Sequence, residues 1–114
     1  MSDCIFCRII KGEIPSKIVH QDKQYLAFED VNPQAPVHVL VIPKVHVESL
    51  KGFQESDTNL LGTLLQACRT VAQLKNLEQS GYRVVANTGA SAGQTVFHMH
   101  LHVLGGRSFA WPPG

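Results

Sequence analysis

Residues 97–106 read FHMHLHVLGG, which sets three of the chain's six histidines at every second position. Successive side chains of a β-strand point to opposite faces. As a strand this run therefore puts His98, His100 and His102 on one face and Phe97, Met99, Leu101 and Val103 on the other. The second face is apolar and suits burial; the first is a row of imidazoles. Imidazole titrates near neutrality and serves as nucleophile, acid, base or metal ligand, so three on one face point to chemistry more than to packing. A rise of about 3.3 Å per residue starts His98 and His102 about 13 Å apart, too far for all three rings to reach one ion without a bulge. A division of labour follows, with one end histidine in a metal or structural role and the other two facing a substrate.

Outward from this run, the preceding TGASAGQT (88–95) is a glycine-rich loop. It lacks the Lys-Ser/Thr ending of a P-loop, but Gly89 and Gly93 let backbone amides approach an anion, and Thr95 adds a hydroxyl. YRVVAN (82–87) reads as a strand. Residues 56–77 carry the one long helical pattern: Ser56 or Asp57 is placed to cap it, and Leu60, Leu61, Leu64, Leu65, Cys68, Val71 and Ala72 form its apolar stripe. Cys68 is expected to pack in the core. VHVLVIP (37–43) reads as a central strand entered through the proline-broken loop VNPQAP, with His38 facing either the triad or a structural partner. SKIVH and QYLAFED form a hairpin about a QDK turn. Ile5, Phe6, Ile9 and Ile10 sit at helical spacing before Gly12, giving a short helix that brings Cys4 and Cys7 to one face, as a pair of metal ligands requires.

These elements assemble into an α+β domain spanning 1–114, with a mostly antiparallel five-stranded sheet, one long helix and one short helix. The formal charge of +1 is spread without a basic stripe, which speaks against duplex nucleic acid as a partner. No long apolar run or signal peptide is visible, so a cytoplasmic protein with no membrane partner is expected. In a reducing compartment the CxxC of Cys4 and Cys7 suggests metal or redox chemistry before a structural disulfide. The tail SFAWPPG leaves Trp111 in need of a surface to dock on.

The run His98-Met99-His100-Leu101-His102-Val103-Leu104 matches the His-φ-His-φ-His-φ-φ signature of the histidine triad (HIT) superfamily, where φ is apolar. IFCRIIKGEIP (5–15), AFEDVNPQAPVHVLVIPKVH (27–46), YRVVANTG (82–89), GQTVFHMHLHVLGGR (93–107) and WPPG (111–114) resemble its Hint branch, the histidine triad nucleotide-binding proteins. The resemblance implies the HIT-like fold and a homodimer whose sheets join into ten strands. It also implies a purine nucleoside phosphoramidase, with His100 attacking the α-phosphorus of an adenosine 5'-phosphoramidate to form a nucleotidyl-histidine, assisted by His102 and His38.

The same resemblance assigns Asp30 to the ribose hydroxyls and Ile5, Phe6, Ile9, Phe28 and Val31 to the purine. Asn87, Gly93, Gln94, Thr95 and Val96, with His100 and His102, are assigned to the phosphate, and Trp111 to the partner subunit's site. Thr95 stands where many members carry serine. Cys4, Cys7, His46 and His98 match a quartet through which some members bind structural zinc. The ligand implied is a purine nucleoside monophosphate or phosphoramidate. Dinucleoside polyphosphate hydrolysis, a nucleotide-binding adaptor role and a hydrolytic zinc enzyme are the alternatives.

Overall fold

Three apolar strands need cover on both faces, and the two helices supply it unequally. The computed structural model describes residues 3–114. Its elements run α1 (Ile5–Ile10), β1 (Ile18–Gln21), β2 (Tyr25–Glu29), β3 (Val37–Pro43), α2 (Thr58–Leu74), β4 (Tyr82–Val85) and β5 (Leu101–Gly105). The strands form one sheet in the order β1-β2-β3-β5-β4, every neighbouring pair antiparallel. The β1–β2 turn closes because Asp22 Oδ1 accepts the N–H groups of Gln24 and Tyr25 at 2.7 and 3.1 Å, an Asx turn.

On one face Tyr25, Ala27, Val39, Val41, Leu101 and Val103 meet Leu64, Ala67, Cys68, Val71 and Ala72 of α2. On the other, Leu26, Phe28, Leu40 and Ile42 meet Phe6 of α1. The two sets alternate along each strand, as the pleat requires. With its six residues, α1 covers only part of its face. The remainder carries His38, His100 and His102.

Three details differ from the sequence reading. Ladder pairing of β5 starts only at Leu101, because the segment before it joins the fold through one backbone bond, Met99 N–H to Val47 C=O. Phe97 is therefore not drawn onto the apolar face and stays 48% exposed, although Met99 is buried in the core. Leu65 is 58% exposed, because a neighbour of Leu64 lies about 100° round the helix and misses the sheet. At the helix start the Asp57 carboxylate turns back to accept the Gln54 N–H at 2.8 Å and makes no cap bond to the helical amides, the first of which, at Thr58, is taken by the Glu55 carbonyl. Trp111 is 82% exposed and is left uncovered by the described residues.

Among the described residues no helix is long and apolar enough to cross a membrane. Leu64 is wholly buried at the centre of the α2–sheet interface, so Leu64→Ala is expected to cost about 2–5 kcal/mol, read as a lower urea midpoint with an unchanged m-value.

Candidate active site and metal centre

His98 is wholly buried just before β5. Its Nε2 lies 2.8 Å from the Pro43 carbonyl. A carbonyl only accepts, so the single proton of the neutral ring sits on Nε2 and Nδ1 keeps its lone pair. Burial is the main force holding the pKa of His98 below its usual value, reinforced by His46 and His100 and opposed by the Pro43 bond. The Nδ1 lone pair faces Cys4 Sγ at 3.3 Å, Cys7 Sγ at 3.5 Å and His46 Nδ1 at 3.1 Å. Cys7 Sγ lies 3.4 Å from His46 Nδ1, and all four donor atoms fall within 4.8 Å of one another.

These spacings can be tested against a metal. Bonds of about 2.3 Å to sulfur and about 2.05 Å to nitrogen at tetrahedral angles put neighbouring nitrogens about 3.3 Å apart and nitrogen and sulfur about 3.5 Å apart. The donor set fits in number, type and spacing. Cys4 is also the N-cap of α1, its Sγ accepting the Cys7 N–H at 3.2 Å, so helix start and ligand pair are one piece of geometry. The third cysteine behaves otherwise: burial pushes the Cys68 thiol up to about 12, and it stays an inert core residue.

Beside this cluster lies a cleft of about 560 Å³ in the part of the sheet face that α1 leaves uncovered. His100 lines it, with Nδ1 2.7 Å from the His98 carbonyl. By the same reasoning Nδ1 carries the proton and Nε2 keeps its lone pair. Phe6 stands edge-on to the His100 ring, centroids 5.2 Å apart, and fixes its tilt.

His38 and His102 form a second pair in the cleft. The Gln34 backbone N–H donates to His38 Nδ1 at 3.0 Å, so the proton of neutral His38 is on Nε2. That Nε2–H lies 2.9 Å from His102 Nδ1 and 3.3 Å from the Asp30 carboxylate. His102 thus accepts at Nδ1 and presents Nε2–H as a donor. Burial, then His100 and His38, push the pKa of His102 down to about 4 against the pull of Asp30. Burial likewise lowers His38, opposed by Asp30. The cleft therefore holds a ring nitrogen with a lone pair, on His100, beside a ring nitrogen with a proton, on His102.

Of the other expected residues, Ile5, Phe6, Ile9, Phe28 and Val31 form the apolar wall and Asp30 lies at its end. Gly93, Thr95 and Val96 line the cleft as well. Gly93 holds a left-handed φ of 98°, natural for glycine, and among the described residues the N–H groups of Thr95, Val96 and Phe97 make no hydrogen bond within the chain.

Asn87 and Gln94 do not line the cleft directly, although the Asn87 side-chain amide lies beside Gly93 at its margin, 3.8 Å from where a Gly93 Cβ would stand; Trp111, expected at a partner's site, lies outside its own chain's cleft. The Gln94 side chain is buried and spent on backbone, accepting the Gly89 N–H at 2.8 Å and donating to the Glu48 and Val96 carbonyls, so it staples the loop in place of facing a ligand. Leu40 and Ile14 line the cleft without having been singled out. Leu40 was findable, two residues from His38 on the same strand face. Gln34 was not, because it acts through its backbone.

The family model described as "Scavenger mRNA decapping enzyme C-term binding" matches residues 3–109. An uncharacterised HIT-like protein of Synechocystis sp. is 54% identical over 112 residues, covering 98% of this chain and 97% of that protein. A 14 kDa zinc-binding protein of Zea mays is 50% identical over 115 residues, covering 99% and 89%. The crystal structure of a HIT family hydrolase from Legionella pneumophila superposes with a TM-score of 0.96 at 46% identity, covering 98% of this chain and all of that one.

The depressed pKa of His102 sets a pH dependence. Above about 6.5 the ring is neutral folded or unfolded; between about 6.5 and about 4 the unfolded chain takes up a proton that the native ring refuses, so stability falls as the pH drops. Melting temperatures at pH 7.5 and pH 5 should show a larger loss for the wild type than for His102→Asn.

Proposed function

The chain belongs to the histidine triad superfamily, and we propose that within it the protein is a purine nucleoside phosphoramidase working through a nucleotidyl-histidine. The observation that carries this reading is the His100 Nδ1–H bond to the His98 carbonyl, which leaves a neutral nucleophilic Nε2 in the cleft. Cleft chemistry and dimensions suit the substrate: an apolar slot for a purine, the Asp30 carboxylate for ribose hydroxyls, and the Thr95 and Val96 amides, which make no hydrogen bond among the described residues, for phosphoryl oxygens.

In the first step His100 Nε2 bonds to the α-phosphorus as the P–N bond breaks, and the departing nitrogen takes up a proton to leave as the amine. In the second, water attacks the same phosphorus and gives up a proton to the His38–His102 pair, the N–P bond breaks and its electron pair returns to His100. His102 Nε2–H donates to a phosphoryl oxygen. A bound phosphoryl anion and the Asp30 carboxylate both favour positive charge on the His38–His102 pair, which makes that pair the source of the amine's proton.

Zinc is the metal we assign to Cys4, Cys7, His46 and His98, supported by the donor spacing and by the resemblance to the Zea mays zinc-binding protein. When bound it closes a structural centre with no open position for substrate, and the phosphoryl chemistry stays with the histidines. A homodimer is also proposed. Strand β4 is an edge strand with Tyr82 and Val84 exposed, α2 exposes Leu65 and Leu74, and the described residues leave Trp111 uncovered.

Turnover of an adenosine 5'-phosphoramidate by the wild type, with a nucleotidyl adduct on His100 in acid-quenched protein, tests the reading. His100→Ala should lose at least about a thousandfold in kcat and form no adduct. A dinucleoside polyphosphate consumed far faster than the phosphoramidate would assign the same nucleophile to the other substrate. His102→Ala should retain the adduct while lowering its rate of formation by about 10²–10³.

A further inference from the structure

Helix α1 faces two ways. Cys4, its N-cap, and Cys7 in its first turn offer sulfur to the metal donor set, while Ile5, Phe6 and Ile9 wall the cleft. At six residues it is far below the length at which a helix holds itself, and Phe6 is its one buried side chain. Its attachment therefore rests on Phe6, on the half-buried Ile9 and Ile10 packed beside it, and on what joins its thiols to His46 and His98.

Phe6 packs edge-on against both His98, with ring centroids 5.9 Å apart, and His100 at 5.2 Å. His98 in turn offers its ring to the donor set and its backbone carbonyl to the His100 imidazole at 2.7 Å. Two contiguous routes thus join the metal donors to the cleft, one through α1 and one through a single residue.

We propose that zinc at the Cys4-Cys7-His46-His98 set and a purine nucleotide in the cleft bind with positive cooperativity, each ordering α1 for the other. The proposal rests on the nucleotide reading of the cleft. A ligand that orders a shared element relieves the second ligand of that ordering cost, and the gain is reciprocal because both affinities belong to one thermodynamic cycle. The coupling also gives the metal a function: metal supply would set the affinity of the cleft without any zinc–substrate bond.

The experiment uses the full chain. Zinc affinity is measured by competition with a chromophoric chelator, with and without adenosine 5'-monophosphate (AMP), and AMP affinity by calorimetry on zinc-loaded and metal-free protein. AMP should tighten zinc at least about fivefold, the lower end of typical site–site coupling, and zinc should tighten AMP by the same factor. Hydrogen exchange of the amides in 5–10 should slow on addition of either ligand.

Should the metal-free chain not stay folded, the rate at which the zinc-loaded chain surrenders zinc to the chelator carries the same test, a fivefold slowing by AMP being expected. AMP binding within twofold in both forms, or an unchanged rate of zinc loss, overturns the coupling and leaves the nucleotide reading standing. Failure of AMP to bind zinc-loaded protein overturns the nucleotide reading and the coupling with it.

Discussion

A histidine ring sealed from water must find a partner for each nitrogen or forfeit about 1–3 kcal/mol for the one left bare. His98 is that ring, wholly buried between the sheet and α1. Its Nε2–H donates to the Pro43 carbonyl, its Nδ1 turns to the thiols and His46, and its own carbonyl accepts the His100 Nδ1–H. Nothing about this ring is adjustable. Because the Pro43 carbonyl dictates which nitrogen bears the proton, it dictates which nitrogen is offered to a metal, and the His98 peptide does the same for the His100 nucleophile.

The cleft follows from an imbalance in cover. A sheet whose central strands are apolar on both faces needs two covering layers. One face receives the long helix α2 and becomes the main core; the other receives six residues of α1 and keeps an open remainder. Polar rings persist there because each has a hydrogen-bond partner, and among the described residues no buried side-chain nitrogen or oxygen lacks one. The loop before β5 is held by Gln94, whose side chain serves three backbone groups.

Direction is the second property the site acquires from its surroundings. Two imidazoles side by side have no inherent polarity, since either nitrogen of either ring can carry the proton. The Gln34 N–H removes that freedom: it points His38 at His102, and His102 at the cleft. Backbone groups thus decide acceptor and donor throughout, through the carbonyls of Pro43 and His98 and the amide of Gln34. Asp30, next to the pair, tilts the balance of charge without setting the direction.

Much of this was legible in the chain itself. Alternation put the triad histidines on one face, the strand and helix segments read correctly from their periods, and the pairing of Cys4 with Cys7 followed from helical spacing. All of these depend on residues within one or two turns or pleats of each other, where the period of the backbone is enough. What the chain could not show lay mostly between distant residues: the start of pairing at Leu101 and not at Phe97, the capture of the Gln94 side chain by the Glu48 carbonyl, and the tautomers of His98 and His102. A tautomer depends on which backbone group lies opposite a ring nitrogen. For His98 that group belongs to a residue 55 positions away, and no local pattern records it.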